Sequence, residues 1–357
     1  MTYRTIIAGT DGSATARIAE RTACLLARAT DARLLLASAY RDSSGPADAV
    51  LEGSLLAARE IWPNVDTRVA RGDPADALVT LAADEQAELL VVGNKGMTGR
   101  VGFLLGSVPD KISHNAPCDL LIVRTSSIGD RDRIEQGRDG APDSDDGRGP
   151  GIYRKVLLAT DASQTSLQAV RRGFDIATRI GAMPVLFYGG HPKTAEIVFR
   201  EVAREFLPAS MLQTASDDGD PADAICRVAE KDDYDLIVLG NKGMLGGRFH
   251  IGVVPNKVSH QAPTDLLIVR TTGSSVADLA PGDGAVIKHD GETVAAYRDA
   301  EGTVHLLSAR CTHMGCTVGW NGEDRTWDCP CHGSRYDASG NVMRGPARDA
   351  LAPIDAT

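Results

Sequence analysis

The chain has 357 residues, of which 43% are hydrophobic and only 4% aromatic, and its formal net charge at pH 7 is −10. This length allows two or three domains with aliphatic cores, and the acidity argues against nucleic acid or an anionic membrane as the main partner. No signal peptide opens the chain, and no apolar stretch approaches the roughly 20 residues that span a bilayer. We therefore expect a cytoplasmic protein without a membrane anchor.

The first 126 residues alternate short β-branched or leucine-rich runs with alanine-rich stretches, which is typical of strands alternating with helices. The predicted strands are Thr5–Ala8, Arg33–Ser38, Asp66–Ala70, Leu89–Val92 and Leu120–Val123. The predicted helices include Ser13–Ala29 and Pro74–Ala83, with Ser13 and Asp73 as N-caps. Continuous apolar strands joined by helices predict a doubly wound parallel α/β sheet covered on both faces.

The motifs of this region recur about 147 positions later. Gly72 returns as Gly219 and Gly93 returns as Gly240, each 147 positions later, while Asp11 returns as Asp161 and the run Asp119–Arg124 returns as Asp265–Arg270. An offset this steady indicates a duplicated domain. We predict one α/β domain over residues 1–126 and a second over residues 152–272. Residues 127–151 are rich in Gly, Asp, Arg and Ser, which predicts a flexible linker.

A candidate phosphate-binding pattern follows the fourth strand of the first copy, where Gly93-x-x-Gly96 is followed after nine residues by Gly106-Ser107. Glycines let the backbone approach phosphate closely, and a helix N-terminus favours an anion. The pattern resembles the ATP-binding branch of the universal stress protein family, and the resemblance covers both copies. It implies ATP or another adenine nucleotide in the first domain, with Asp11 at the adenine and Ser107 donating to phosphate.

The second copy departs from this pattern. The interval before its last glycine is one residue shorter, and Val253 replaces Ser107. Because valine cannot donate a hydrogen bond to phosphate, we expect a degenerate phosphate loop there. The family resemblance also implies pairing through the last strand of each domain. This pairing would join Leu120–Val123 to Leu266–Val269 within one chain, or would form a homo-oligomer.

Residues 276–357 contain many glycines and short alternating runs, such as Ala285–Lys288 and Thr293–Tyr297, which predict a small antiparallel β domain. Two cysteine–histidine boxes lie in it. They read Cys311-Thr312-His313-Met314-Gly315-Cys316 and Cys329-Pro330-Cys331-His332-Gly333-Ser334-Arg335-Tyr336. Each box offers one Cys and one His to a metal, and a second Cys that could cross-link the boxes.

The two boxes resemble the Rieske [2Fe–2S] domain of the high-potential kind. The resemblance implies that Cys311 and Cys329 hold one iron and that His313 and His332 hold the other, for one-electron transfer. A Cys2His2 set also suits structural zinc. The boxes do not follow the Cys-x2–4-Cys spacing of zinc ribbons and fingers, which makes zinc the weaker alternative.

The Rieske resemblance implies further roles around the cluster. It implies a disulfide between Cys316 and Cys331, although disulfides are unusual in the cytoplasm. It also implies a hydrogen bond from Ser334 to a bridging sulfide and one from Tyr336 to a cysteine sulfur, which would stabilise the reduced state and raise the potential. Gly345-Pro346-Ala347 resembles the proline loop that covers the cluster.

Three functions remain open from the sequence. The first is a stress-response protein that binds ATP and uses a Rieske cluster for one-electron transfer or redox sensing with an unidentified redox partner protein. The second is an electron-carrier subunit of an oxidoreductase or oxygenase system. The third is slow ATP turnover by the first domain, which the sequence favours least because it contains no Walker A motif and no dedicated hydrolytic base.

Overall fold

The computed structural model describes residues 3–94, 105–124, 152–206, 213–241, 251–271, 276, 279, 281–289, 292–321, 324–329 and 333–354. The chain divides into two compact units, of which the first is Met1–Gly240 with Val254–Arg270 and the second is Asn241–Val253 with Thr271–Thr357. The predicted linker, residues 127–151, lies outside the described residues. So do three predicted site residues, namely Gly96, Cys331 and His332.

The first unit is built on one ten-stranded sheet in the order β3-β2-β1-β4-β5-β10-β9-β6-β7-β8. Its strands are β1 (Thr5–Gly9), β2 (Arg33–Tyr40), β3 (Val65–Arg71), β4 (Leu89–Gly93), β5 (Asp119–Val123), β6 (Lys155–Ala159), β7 (Met183–Gly189), β8 (Gln213–Asp217), β9 (Leu236–Gly240) and β10 (Asp265–Val269). The described helices are α1 (Ala14–Thr30), α2 (Gly45–Ile61), α3 (Pro74–Asp84), α4 (Ser107–Asn115), α5 (Gln164–Ile180), α6 (Pro192–Phe206), α7 (Pro221–Lys231) and α8 (Val253–Gln261). The predicted doubly wound parallel fold is confirmed for both copies.

The two copies meet at the middle of this sheet, where β5 and β10 pair antiparallel. Leu121 lies opposite Leu267, and both are buried. All other described neighbours in the sheet are parallel pairs. The predicted pairing of the last strands within one chain is therefore confirmed, and one apolar core contains residues of both copies.

The two residues predicted as N-caps, Ser13 and Asp73, form different contacts. Ser13 caps α1 as predicted, because its Oγ accepts a hydrogen bond from the N–H of Ala16 at 3.1 Å. Asp73 occupies the N-cap position of α3, but the prediction that its side chain caps this helix is wrong. Its carboxylate is instead paired with Arg41 at 2.9 Å and Lys111 at 3.3 Å.

The second unit contains two small antiparallel sheets, as predicted. One has the order β11-β12-β13 and the other the order β14-β15-β16-β17. Their strands are β11 (Gly284–His289), β12 (Glu292–Arg298), β13 (Val304–Ser308), β14 (Gly319–Asn321), β15 (Thr326–Asp328), β16 (Arg335–Asp337) and β17 (Val342–Arg344). Trp327 and Tyr336 are fully buried in the core of this unit. Across the described ranges, none of the helices is long and apolar enough to cross a membrane.

Candidate metal centre and nucleotide site

A tight loop, residues 311–316, carries the first cysteine–histidine box between β13 and β14. The N–H of Cys311 donates to the carbonyl of Cys316 at 2.7 Å, and the N–H of Gly315 donates to the carbonyl of Cys311 at 2.8 Å. Gly315 has φ +72°, a left-handed conformation that glycine adopts without steric cost. We call this segment the first ligand loop.

A second loop, residues 329–334, lies between β15 and β16 and repeats these hydrogen bonds. The N–H of Cys329 donates to the carbonyl of Ser334 at 2.7 Å, and the N–H of Gly333 donates to the carbonyl of Cys329 at 3.1 Å. Gly333 has φ +73°. In this second ligand loop Ser334 takes the position that Cys316 has in the first. The two loops are therefore closed by the same pair of backbone hydrogen bonds, and each begins with a candidate thiolate ligand.

The thiol of Cys311 is buried and hydrogen-bonded. It is 2% exposed, and the hydroxyl of Tyr336 donates to its Sγ at 3.1 Å. Burial alone would raise the pKa of Cys311, but hydrogen bonds from Tyr336, the N–H of His313, Cys329 and Ser334 outweigh burial and lower the pKa. These contacts stabilise the thiolate, which is the form that binds metal. The donor set therefore fits an iron–sulfur cluster.

Residues 345–349 contact both ligand loops. The N–H of Ala347 donates to Oγ of Ser334 at 3.0 Å, and Oγ1 of Thr312 donates to the carbonyl of Asp349 at 2.7 Å. The N–H of Thr312 also donates to the hydroxyl oxygen of Tyr336 at 3.1 Å. Sequence reasoning missed Thr312 and Asp349, because their partners lie 24 to 37 positions away and no motif links them.

One of the two histidines in the boxes lies among the described residues, and the other does not. His313 is exposed at the tip of the first ligand loop. His332 lies outside the described residues. A Rieske cluster takes two protein ligands on each of its two irons. The three described candidates, Cys311, His313 and Cys329, therefore come from both ligand loops.

Of the other described cysteines, one is disulfide-bonded and three are free thiols. Cys316 is disulfide-bonded, and its predicted partner Cys331 lies outside the described residues. Cys24, Cys118 and Cys226 are free thiols. Burial raises the pKa of Cys24 and Cys118 to about 12 and that of Cys226 to about 11. These three thiols are therefore protonated at neutral pH and poorly reactive.

The candidate nucleotide residues gather at one edge of the sheet in the first copy. Strand β1 pairs in parallel with β4, and the strand order reverses between them. Asp11 follows β1, Gly93 ends β4, and Ser107 begins α4. Ligands of open α/β sheets bind in the crevice at such a reversal point, outside the carboxyl ends of the strands.

The backbone around α4 presents donors to this crevice. The N–H of Gly106 donates to the carbonyl of Asn94 at 2.9 Å, which ties the start of α4 to the end of β4. Gly106 is the N-cap residue and has no side chain to satisfy the first turn of the helix. Ser107 is exposed. The N–H groups of a helix N-terminus and an exposed hydroxyl there suit a phosphate.

The second copy keeps the backbone of this site and loses the donor. The N–H of Gly252 donates to the carbonyl of Asn241 at 2.8 Å, as in the first copy. Val253 begins α8 and is 79% exposed in the position of Ser107. Ala162 has φ +63° in the position that Gly12 occupies in the first copy. An exposed valine offers no hydrogen bond to phosphate.

Two family models match the chain. The model described as the universal stress protein family matches residues 2–124 and 189–270, which together exceed half of the chain. The model described as the Rieske [2Fe-2S] domain matches residues 272–355. A solved universal stress protein of Archaeoglobus fulgidus has a TM-score of 0.53 at 15% identity, covering 74% of this chain and 96% of its own. That likeness shows the fold.

Curated relatives match the two parts separately. A universal stress protein of Mycobacterium tuberculosis is 40% identical over 144 residues, which cover 35% of this chain and 98% of the relative. The protein YhfW of Bacillus subtilis, described as a Rieske 2Fe-2S iron-sulfur protein, is 49% identical over 78 residues, 22% of this chain and 15% of that protein. The cytochrome b6-f complex iron-sulfur subunit of Synechococcus elongatus is 45% identical over 85 residues, 23% of this chain and 47% of its own length. The chain thus spans less than half of these two Rieske relatives.

Proposed function

The chain belongs to the universal stress protein family and carries a Rieske [2Fe–2S] domain, and from these premises we propose a cytoplasmic stress-response protein with two binding functions. The first domain binds an adenine nucleotide, and the Rieske domain passes single electrons to and from a redox partner protein. The observation that carries the redox part is the set of hydrogen bonds on the buried thiol of Cys311, at the start of one of two loops that are closed by the same backbone hydrogen bonds.

Each residue of the proposed metal centre has a defined task. Cys311 and Cys329 hold one iron as thiolates, and His313 and His332 hold the other. The bound cluster supplies one-electron chemistry, at a potential between about −150 and +300 mV for this class. Both cysteine side chains are shielded from water, since Cys311 is 2% and Cys329 is 3% exposed. The exposed His313 gives electrons a path to the surface.

The surroundings of the thiolates set the potential in this proposal. Tyr336 donates to the sulfur of Cys311, and Ser334 is held beside it by the N–H of Ala347. A disulfide between Cys316 and Cys331 joins the two ligand loops. Each hydrogen bond to the cluster region stabilises the more negative, reduced state. The centre therefore has a potential in the upper part of its class.

The nucleotide part rests on the crevice of the first copy. Asp11 contacts the adenine, while the backbone at Gly93, Gly96 and Gly106 and the hydroxyl of Ser107 hold the phosphates. The support for these roles is the reversal point between β1 and β4 and the uncapped first turn of α4. The second copy, with Val253 at the matching position, serves as a partner in the sheet.

One preparation tests both parts. Anaerobically purified protein is examined by EPR during a redox titration, and nucleotide released from the same sample is identified. We expect a Rieske-type EPR signal that Cys311→Ser abolishes and that the matched control Cys226→Ser retains. A full-length protein that binds zinc in place of iron after anaerobic purification would overturn the redox part.

Nucleotide binding is tested with a matched pair of variants. Ser107→Ala should weaken ATP binding about tenfold, because one hydrogen bond to a charged phosphate is worth about 1.5 kcal/mol. Val253→Ala, at the equivalent position of the second copy, should leave the affinity unchanged. Calorimetry with ATP and with cyclic AMP distinguishes the adenine nucleotides. Equal loss in both variants would refute the assignment of the site to the first copy.

The electron-carrier alternative differs from redox sensing in one measurable respect. A sensor linked to nucleotide must bind ATP differently in its oxidised and reduced forms, since coupling between two sites is reciprocal. Calorimetry of ATP binding to both forms measures this difference. Equal affinities would contradict a nucleotide-linked sensor and favour an electron carrier for an oxidoreductase system. Steady-state ATP turnover that Ser107→Ala abolishes would instead support a slow ATPase.

A further inference from the structure

The charge of the Rieske domain is not evenly distributed. Residues 272–355 contain 12 acidic and 7 basic residues, for a net charge of −5, and the whole chain carries −10. Four of the six arginines in this range nevertheless lie within or beside the segments that form the ligand loops. They are Arg310, Arg335, Arg344 and Arg348. The question is which of these charges are available to a partner.

Arg348 lies between two residues that are each bonded to one ligand loop. The N–H of Ala347 donates to Ser334 of the second loop, and the carbonyl of Asp349 accepts from Thr312 of the first. The backbone of Arg348 is therefore held beside both loops. Its side chain is exposed, and no described residue forms an ion pair or a side-chain hydrogen bond with it.

Arg344 lies at the other end of the same segment. It ends β17 and pairs in register with Arg335, the residue directly after the second ligand loop. Arg344 is also exposed, and within the described part of the chain its guanidinium has no ionic partner. Arg335 differs, because Asp324 at 2.8 Å and Asp328 at 2.9 Å neutralise it.

The acidic residues near this segment do not cancel its charge. Asp324 and Asp328 are occupied by Arg335, which leaves Asp349 as the acidic residue of the segment 344–349. Within the segment 344–349 two arginines thus stand against one aspartate, and the exposed Arg310 directly precedes the first ligand loop. Because exposed charges are screened over about 10 Å at 0.1 M salt, these nearby groups outweigh the distant acidic residues for anything that touches the cluster end.

Exposed apolar groups lie in the same segments. Met314 of the first ligand loop is 68% exposed, and Met343, next to Arg344, is 62% exposed. Among the described residues from 276 to 354 these two are the exposed large hydrophobic side chains. Methionine and arginine are both enriched in protein–protein interfaces. The segments around the candidate metal centre thus combine exposed apolar and cationic groups.

We propose that Met314, Met343, Arg344 and Arg348 form a docking face for a one-electron redox protein with an acidic surface. This inference rests on the proposed redox function and names the class of partner. Opposite charges speed the encounter, and a small apolar contact permits rapid release, as suits transient electron transfer. The acidic net charge of the whole chain would instead favour a partner with a basic surface. The sign of the charge that the cluster end attracts therefore tests the inference.

Small oxidants of known charge provide that test. Full-length protein with a reduced cluster is mixed in a stopped-flow instrument with ferricyanide, an anion, or with tris(phenanthroline)cobalt(III), a cation. The rate with ferricyanide should fall as salt is raised from about 0.1 M, where charges are screened over about 10 Å, and the rate with the cobalt complex should rise. The reverse pair of slopes would show that the face carries the sign of the whole chain and would overturn the inference.

Variants assign the effect to the two arginines. The double variant Arg344→Gln, Arg348→Gln should slow ferricyanide by roughly three- to tenfold at about 0.1 M salt and flatten its salt dependence. Arg325→Gln removes one positive charge from an exposed position at the opposite end of β15 from Cys329, and should change neither. It is the like-for-like control for Arg344→Gln and Arg348→Gln measured singly. A double variant that behaves like Arg325→Gln would refute the docking role of these arginines.

A second measurement does not depend on electron transfer. An anionic and a cationic dysprosium complex are added separately, and the spin relaxation of the cluster EPR signal is measured. The anionic complex should have the larger effect in the unmodified protein, and the double variant should remove that advantage. A protein without a Rieske signal refutes the proposed function itself, whereas a loaded protein with the wrong charge preference refutes only the docking face.

Discussion

At the scale of single residues, the hydroxyl of Tyr336 is the side-chain group bonded to the sulfur of a proposed cluster ligand. Tyr336 is fully buried, and its hydroxyl donates to Cys311 at 3.1 Å. We expect Tyr336→Phe to lower the cluster potential by roughly 40–60 mV, because a differential loss of about 1–1.4 kcal/mol corresponds to that shift for one electron. A redox titration followed by EPR measures the shift.

The control for this prediction lies in the same domain. Tyr297 packs against Trp320, with ring centroids 5.1 Å apart, and has no part in the ligand loops. Tyr297→Phe should therefore leave the potential unchanged. An unchanged potential in Tyr336→Phe, with the EPR signal intact, would show that the hydroxyl does not tune the cluster.

The contact between Tyr336 and a cysteine sulfur was predictable, because both residues belong to one recognisable pattern of boxes. The contacts of Thr312 with Tyr336 and Asp349 were not, because they depend on how residues 345–349 fold back onto the loops. The prediction that the Asp73 side chain caps its helix was wrong for the same reason, namely a contact between residues far apart in the sequence. Arg41 is 32 positions away, and only the packing of the first domain brings it to the carboxylate.

At the scale of secondary-structure elements, alanine substitutions at two helical glycines should change the free energy of unfolding in opposite directions. A Cβ at Gly173 of α5 would clash with Leu158 of β6 and lie 3.0 Å from Val238 of β9, whereas a Cβ at Gly53 of α2 would meet nothing within 4 Å. Gly173→Ala should lower the free energy of unfolding by about 1–3 kcal/mol through overpacking. Gly53→Ala should raise it by about 1 kcal/mol through helix propensity.

Chemical denaturation of both variants measures these changes, and each variant serves as the control of the other. Destabilisation by both would mean that Gly53 has a role beyond its helix, and stabilisation by both would mean that α5 does not pack as closely as described. The first copy has the buried Ala23 at the position equivalent to Gly173. The repeated sequence predicted two similar helices, but it did not predict that a Cβ at position 173 would clash with Leu158.

At the scale of the whole molecule, the pairing of the two copies depends on a reciprocal set of polar contacts. Asp119 begins β5 and accepts hydrogen bonds from the hydroxyl of Tyr3 and from the N–H of Arg270, both at 2.8 Å. Asp265 begins β10 and accepts from Tyr153 at 2.8 Å and from the N–H of Arg124 at 2.7 Å. Each aspartate thus bonds a tyrosine of its own copy and the backbone of the residue directly after the last strand of the other copy.

The family pattern predicted that the last strands pair, but the polar contacts could not be foreseen. The partners in the two contacts between copies lie 141 and 151 positions apart, and they meet only because β5 and β10 run antiparallel. The set is also asymmetric. Arg172 of the second copy forms an ion pair with Asp119 at 3.4 Å, whereas the first copy has Thr22 at the matching position. This ion pair favours the pairing of unlike copies over the pairing of two first copies.

The shared sheet predicts that both copies lose stability together when this contact is broken. Asp119 is 4% exposed, and Asp119→Leu would leave Tyr3, Arg172 and the N–H of Arg270 without this acceptor. We expect a loss of about 3–5 kcal/mol in the free energy of unfolding. Hydrogen–deuterium exchange should show faster exchange in β2 and in β7 alike, because one apolar core spans both copies.

A matched control separates this effect from the loss of any carboxylate in the first copy. Asp66 pairs with Arg33 at 3.3 Å, but its side chain is 52% exposed, so Asp66→Leu should cost less than about 1 kcal/mol and leave exchange in β7 unchanged. Faster exchange confined to the first copy in Asp119→Leu would show that the copies unfold independently. Faster exchange in both would show that the duplication has produced one cooperative unit.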